Sequence, residues 1–244
     1  MVADGGVTSR RMANWTPNPS YWTGSIPRER HRITTSPTEV AHLVIAFLVL
    51  TIDLTLIWEY LWLGVIPGGF RAGAAAQAVA FAVTAAFTGF IAHEMAHKVA
   101  AQRYGFWAEF RMSPVGLLLS LVTAFAGVLF AAPGATVVSG MGDVREWGRT
   151  SLAGPLLNLV EGTAFLAAGA AVWFDSHARF VAAELLLLAL FNGWFAAFNL
   201  IPFGPLDGRK VLRWSRLGWA VSFAVSLGFT VGVLALWAEG IPPF

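Results

Sequence analysis

The pentad His93-Glu94-Met95-Ala96-His97 lies at the end of a long apolar segment and is the most informative stretch of this chain. Side chains four residues apart on an α-helix share one face, so His93 and His97 can bind one metal ion while Glu94 lies beside it. The pentad therefore predicts a metal site on a helix. Such a site needs further residues from elsewhere in the chain.

The composition is that of a membrane protein. Of the 244 residues, 57% are hydrophobic and 12% are charged, and the mean hydropathy of +0.64 is too high for a soluble domain of this length. The net charge is +2, but the basic residues flank apolar segments, which indicates membrane topology and no nucleic-acid partner. Because the chain has no cysteine, any metal must be held by histidine and carboxylate groups.

Five apolar segments are long enough to span a bilayer. They cover about 40–66, 72–102, 150–174 and 180–200, and a last helix runs to about 237. The first begins at Ser36-Pro37-Thr38-Glu39, where a capping Ser, a first-turn Pro and a Glu three residues on predict a helix start. We expect 1–39 to form a polar cytoplasmic tail and 40–244 to form the membrane-embedded domain.

The region 105–147 between the second and third spans allows two interpretations. Alternating apolar and charged residues over 106–112 predict a β-strand. Residues 114–132 are apolar for 19 residues, which could form a sixth span or a re-entrant element. The predicted fold is therefore an all-α polytopic membrane protein with five to six transmembrane helices and a small strand or re-entrant region.

A catalytic zinc site needs three protein ligands and an open position, so the two pentad histidines are not sufficient. A metzincin would have Gly at position 100 and His at position 103, but Ala100 and Arg103 stand there, which excludes that class. None of the other histidines is well placed to reach the pentad; they are His31, His42 and His177.

The third ligand is therefore sought among the carboxylates. The candidates are Asp53, Glu59, Glu109, Glu161, Glu184 and Asp207. Ionisable groups inside a bilayer are costly and need partners or a polar cavity. Asp207 is the strongest candidate, because it follows a helix break at 199–208, and irregular backbone at membrane depth must line protein or water.

Three motifs together resemble the site-2 protease family of intramembrane zinc metalloproteases. They are the pentad, Ala-Gly-Pro-Leu-Leu-Asn at 153–158, and Asn-x-x-Pro-x-x-Pro-Leu-Asp-Gly at 199–208. They occur in the order of the family and lie within about 90–212.

The resemblance implies zinc ligands at His93, His97 and Asp207, a general base at Glu94, and Asn199 as a polar group near the reacting carbonyl. We also expect supporting or packing roles for a further set, which is Gly154, Pro155, Asn158, Pro202 and Gly208. For Asn199, a helix C-cap is an equally good interpretation.

Membrane topology offers a separate argument for the site. If 105–147 stays on one side, Asp207 returns to the side of the pentad, whereas a crossing would take it to the opposite face. Without the crossing, the cytoplasmic side holds 14 of the 16 basic residues, which the positive-inside rule favours. We therefore predict five spans, with the N-terminus and the site facing the cytoplasm of a prokaryotic cell membrane.

The predicted function is hydrolysis of peptide bonds in or near transmembrane segments of membrane protein substrates, with one Zn²⁺ per chain. The strand at 106–112 is a hypothetical docking edge, because a substrate helix must be extended before its peptide bonds can be attacked. One alternative is a membrane metalloprotease acting on a soluble or lipid-modified peptide. Another is a metal transporter or metal-binding membrane protein without proteolytic activity. The sequence does not indicate the oligomeric state.

Overall fold

The computed structural model describes residues 33–63, 72–129, 132–173 and 179–238. The helices are α1 (Pro37–Leu63), α2 (Ala72–Ala85), α3 (His93–Arg103), α4 (Pro114–Ala124), α5 (Val144–Val172), α6 (Arg179–Asn199), α7 (Asp207–Trp214) and α8 (Arg216–Ala238). A π-helical segment, Ala86–Ala92, joins α2 to α3. Strands β1 (Trp107–Met112) and β2 (Gly134–Ser139) form an antiparallel sheet. Most of the predicted tail and residues His31 and His177 lie outside the described residues.

Five helical segments in the described ranges are long and apolar enough to cross a membrane. They are Pro37–Trp58, Ala75–Arg103, Val144–Val172, Arg179–Asn199 and Arg216–Ala238, which confirms the five predicted spans. The alternative of a sixth span across 114–132 is wrong. Helix α4 has 11 residues and is about 17 Å long at 1.5 Å per residue, well short of a bilayer core of about 30 Å.

The predicted strand is β1, and its partner β2 was not predicted. Trp107 pairs with Ser139, and Met112 pairs with Gly134 at the other end of the sheet. Met112 is the last residue of β1, and it pairs with Gly134, the first residue of β2. The chain that leaves β1 through α4 therefore comes back beside the end of β1. The insert is thus a hairpin with a short helix at its tip, as the non-crossing interpretation required.

The start of α1 is attached to the pentad helix and to the sheet. The backbone N–H of Glu39 donates to Ser36 Oγ over 3.1 Å, which confirms the predicted cap. The Glu39 carboxylate, however, binds Lys98 Nζ and accepts from the Phe110 N–H over 3.0 Å. Glu39 and Lys98 are both fully buried. The sequence signal of a capping box therefore found the helix start, while its glutamate has another role.

Helix α5 begins six residues earlier than predicted. Asp143 Oδ1 accepts from the Glu146 N–H over 2.7 Å, and Glu146 Oε2 accepts from the Asp143 N–H over 3.1 Å. This is a complete capping box, and Asp-x-x-Glu at 143–146 was its sequence signal. The early start places the first turns of α5 beside α3 and α7, so that α5 passes directly over the pentad.

The predicted helix break at 199–208 is present. Helix α6 ends at Asn199, residues 200–206 form turns, and α7 begins at Asp207. The indole N–H of Trp219 on α8 donates to the Leu200 carbonyl over 2.8 Å, which satisfies one carbonyl left free at the end of α6. The break turns the chain back so that the first residue of α7 faces α3.

Candidate metal centre

Three side chains from two distant parts of the chain meet at one point. His93 Nε2 and His97 Nε2 lie 3.0 Å apart, and Asp207 Oδ2 lies 3.5 Å from the first and 2.9 Å from the second. All three residues are buried. Ligand atoms about 2 Å from a tetrahedral metal lie about 3.3 Å from one another, which is close to these separations. The three residues therefore fit a single metal ion.

The two histidines are oriented by hydrogen bonds at their other ring nitrogens. His93 Nδ1 lies 2.5 Å from Asn158 Oδ1, and His97 Nδ1 lies 2.8 Å from the Thr150 carbonyl. Both partners are acceptors, so each Nδ1 carries the proton and each Nε2 keeps its lone pair for a metal. Asn158 and Thr150 both belong to α5, so this helix fixes the tautomers of both histidines.

Asp207 is delivered by the first turn of α7. A Cβ on the next residue, Gly208, would collide with the carbonyl of Leu200, so only glycine permits the close approach that brings Asp207 inward. Burial opposes ionisation of Asp207. Against burial act a proton on His97 and hydrogen bonds from the Nε2 atoms of both histidines, which hold the pKa of Asp207 well below its usual range; a bound metal would replace these protons and favour the carboxylate in the same way. The carboxylate is thus ionised, the form that binds metal.

Gly154 leaves the space that a metal ion needs. A Cβ at this position would lie 2.5 Å from His97 Nε2 and 2.7 Å from His93 Nε2, in the volume that both lone pairs address. Zinc binds imidazole nitrogen at about 2.0 Å. The site therefore contains a cradle that a methyl group would fill, and the donor set of two imidazoles and a carboxylate suits zinc.

A chain of buried amides supports His93 from behind. Asn158 Nδ2 donates to the Gly89 carbonyl over 3.1 Å and to Asn192 Oδ1 over 3.0 Å. Asn192 Nδ2 in turn donates to Thr88 Oγ1 over 3.2 Å and to the Leu188 carbonyl over 3.0 Å. Thr88 and Gly89 belong to the π-helical segment, so this irregular turn supplies partners for the amide chain. Asn158 therefore lies directly behind His93, and its supporting role in metal binding stays a prediction.

Glu94 is bound to the sheet. Its Oε2 accepts from both the N–H and the hydroxyl of Thr136 on β2, each over 2.7 Å. Glu94 belongs to the same helix turn as His93, yet it points to the sheet and not to Asp207. The two histidines thus face Asp207 while the glutamate faces the sheet; the role of Glu94 as general base stays a prediction.

The supporting residues that sequence reasoning missed are Thr136, Thr150 and Asn192. Asn192 lies within an apolar predicted span, and a buried amide there was a detectable signal. Thr150 contributes a backbone carbonyl, which any residue could supply. Thr136 lies on a strand that was not predicted.

The other sequence candidates lie elsewhere. Asn199 Nδ2 donates to the Phe195 carbonyl over 3.0 Å, which is the capping role, and its catalytic role stays a prediction. Pro155 is buried inside α5, whereas Pro202 is exposed in the turn after α6. Among the described residues, the group that could hold a metal is His93, His97 and Asp207. It does not include the remaining candidates with described side chains, which are His42, Asp53, Glu109, Glu161 and Glu184; the side chain of Glu59 lies outside the described part.

The edge of β1 is occupied. The outward N–H of Phe110 donates to Glu39, and the outward carbonyl of Ala108 accepts from Gln102 Nε2 over 3.0 Å. The hypothesis that 106–112 offers a free docking edge is therefore wrong. The other edge of the sheet belongs to β2 and lies beside Glu94.

A bundle of membrane-length helices with a buried His-His-Asp group that could hold a metal, and with a glutamate beside it, is the arrangement expected of a membrane metallohydrolase. The chain is 35% identical over 139 residues to putative zinc metalloprotease MJ0611 of Methanocaldococcus jannaschii. The match covers 54% of this chain and 69% of that archaeal protein. No protein-family model and no solved structure matches the chain. The chain therefore belongs to the same family as this archaeal protein.

Proposed function

We propose that this protein is an intramembrane zinc endopeptidase of the site-2 protease type, with one zinc ion per chain. The observation that carries the proposal is the meeting of His93, His97 and Asp207 inside a bundle of membrane-length helices. Its substrates are peptide bonds in or near transmembrane segments of other proteins. The distribution of basic residues supports a site facing the cytoplasm of a prokaryotic cell membrane.

Each site residue has a separate role in the proposed hydrolysis. His93, His97 and Asp207 hold the metal, and Glu94 accepts the proton of the attacking water. Bound zinc lowers the pKa of a coordinated water to about 7 and polarises a carbonyl oxygen. Asn199, at the end of α6, is the candidate for a polar contact to the scissile carbonyl. Burial of all three ligands excludes bulk water and strengthens the electrostatic effects within the site.

An extended substrate would bind at the edge of β2. A transmembrane helix hides its peptide groups in its own hydrogen bonds, so it must be locally extended before attack. Strand addition satisfies these groups as they are released. Side chains bind outward groups at both edges of the sheet, Glu39 and Gln102 at β1 and Glu94 at Thr136 of β2. The edge of β2 is favoured because the carboxylate bound there is that of the proposed base, so a substrate strand added at this edge would lie beside it.

Glu94→Gln tests this function against the metal-transporter alternative. Glu94 is no ligand in the proposed site, so the variant should keep its zinc and lose cleavage by a factor of about 10² to 10⁴. Zinc content is measured by metal analysis, and cleavage with a synthetic apolar peptide that spans a bilayer and carries a fluorophore and a quencher.

Asp207→Asn serves as the contrasting variant, because it should lose both zinc and cleavage. If Glu94→Gln released the zinc, or cleaved as fast as the wild type, the proposed role of Glu94 would be refuted. A wild-type enzyme that cleaved soluble or lipid-modified peptides but ignored the apolar peptide would instead support the rival protease.

A further inference from the structure

One cross-strand pair of the sheet is held by a carboxylate on each side. Phe110 on β1 lies opposite Thr136 on β2. The N–H of Phe110 donates outward to Glu39 Oε1, and the N–H of Thr136 donates outward to Glu94 Oε2. Since both amides point away from the sheet, this is a non-hydrogen-bonded pair of the antiparallel ladder. The sheet is thus clamped between α1 and α3 at this one level.

The clamp closes into a ring. Glu39 forms a fully buried ion pair with Lys98, and Lys98 also donates to Thr35 Oγ1 over 2.8 Å. Lys98 and Glu94 stand four residues apart on α3 and share a face. The ring therefore runs from Glu94 through Thr136, Phe110, Glu39 and Lys98, and returns to the helix that carries Glu94.

We propose that Thr136 is a positioning residue for Glu94, and that the buried Glu39–Lys98 pair holds in place the two-stranded sheet to which Thr136 belongs. The inference rests on the proposed function, in which Glu94 is the general base. Two hydrogen bonds from Thr136 to Glu94 Oε2 fix the plane of the carboxylate. The other oxygen, Oε1, is then the atom that accepts the proton from water. A base held in one orientation acts at a fixed distance from the attacking water, on which the rate depends steeply.

The first experiment compares Thr136→Val with Thr136→Ser. Valine has the shape of threonine and keeps the backbone N–H but loses the hydroxyl, whereas serine keeps both donors. We expect kcat on the fluorogenic apolar peptide to fall by about ten- to a hundred-fold in Thr136→Val, with KM and zinc content unchanged. Thr136→Ser should restore kcat to near the wild-type value.

The matched control is Thr163→Val on α5, where the hydroxyl donates to the Leu159 carbonyl far from the sheet. It should leave kcat unchanged. Wild-type kcat in Thr136→Val, or an equal loss in the valine and serine variants, would overturn the role of Thr136.

The second experiment needs no substrate. Hydrogen–deuterium exchange of 134–139 is measured in the wild type and in Lys98→Met/Glu39→Gln, which removes both buried charges together and keeps an acceptor for Phe110. We expect exchange in 134–139 to become several-fold faster, although Glu39 and Lys98 bind each other, Thr35 and the Phe110 N–H on β1. Arg145→Met, which removes an exposed charge from α5, is the control and should not alter this exchange.

The two arms separate the failure of the positioning role from that of the proposed function. If the wild type leaves the apolar peptide intact, the proposed function fails. If the wild type cleaves and exchange in 134–139 is the same in the double variant, the Glu39–Lys98 part of the inference is overturned. Faster exchange together with the selective loss of kcat in Thr136→Val supports the whole ring.

Discussion

His97 Nε2 and Asp207 Oδ2 lie 2.9 Å apart, although 110 residues separate them in the chain. The contact depends on two turns of the backbone. The sheet insert returns the chain to the level of α3, and the break after Asn199 sends α7 back toward it. The sheet insert and the residues 200–206 of the break supply none of the three proposed metal ligands. The site is therefore as sensitive to the path of the chain as to its ligands.

The space beside Gly154 gives the first prediction. Gly154→Ala should abolish zinc binding, because its methyl group would lie within 2.7 Å of both Nε2 atoms. In an ordinary helix the same change stabilises by about 0.5–1 kcal/mol, so helix content should not fall. Metal analysis and circular dichroism measure the two effects.

Gly228→Ala on α8 is the control for Gly154, because a Cβ there meets no atom within 4 Å. It should bind zinc as the wild type does. Normal zinc content in Gly154→Ala would mean that the metal does not bind at the point where the two Nε2 atoms converge.

The second prediction concerns Asn158. Replacing the acceptor that holds His93 Nδ1 should weaken zinc binding by about 10- to 100-fold, the usual effect of removing a supporting partner of a metal ligand. Asn158→Leu removes the acceptor, whereas Asn158→Asp keeps it. We therefore expect Asn158→Leu to lose more affinity than Asn158→Asp in a competition titration with a zinc chelator. The reverse order would argue that Asn158 acts through its donated hydrogen bonds to Gly89 and Asn192.

The third prediction tests the path of the chain. The protein has no native cysteine, so single cysteines can be placed without further changes. Met141→Cys and Arg209→Cys should be labelled from the same side of the membrane, and Arg179→Cys from the opposite side. The reason is that β1 and β2 are adjacent antiparallel strands and α4 is too short to cross. The measurement is labelling with a membrane-impermeant maleimide in intact and inverted vesicles, and labelling of positions 141 and 179 from one side would contradict the fold.

Several features of the fold follow from local sequence signals. The five spans are visible as apolar runs, the start of α1 as Ser36-Pro37 and the strand β1 as an alternation over 106–112. Helix α5 was placed too late because an apolar run indicates a span, while the helix begins at its cap, Asp143. Strand β2 was missed because it follows a long apolar stretch in which a strand and a helix have the same composition.

The metal site was accessible to sequence reasoning as far as its own motifs extend. His93, Glu94 and His97 lie within two turns of one helix, where spacing alone determines which side chains share a face. Asp207 was the strongest of several carboxylates, and the structure places it against both histidines. No spacing rule connects Thr136 to Glu94 or Thr150 to His97, because those contacts join segments more than 40 residues apart.

The sequence by itself determined that this is a membrane protein with five clear apolar spans and with two histidines and a glutamate on one helix, because hydrophobic length and helical period are local properties; whether 114–132 is a sixth span was decided by the structure. Only the tertiary structure decided which residues orient them. Asn158 and Thr150 set the tautomers of the histidines, Gly154 leaves room for a metal, and Thr136 holds the glutamate. These contacts depend on which helix faces meet, and that is set by the packing of the whole bundle and not by any one segment.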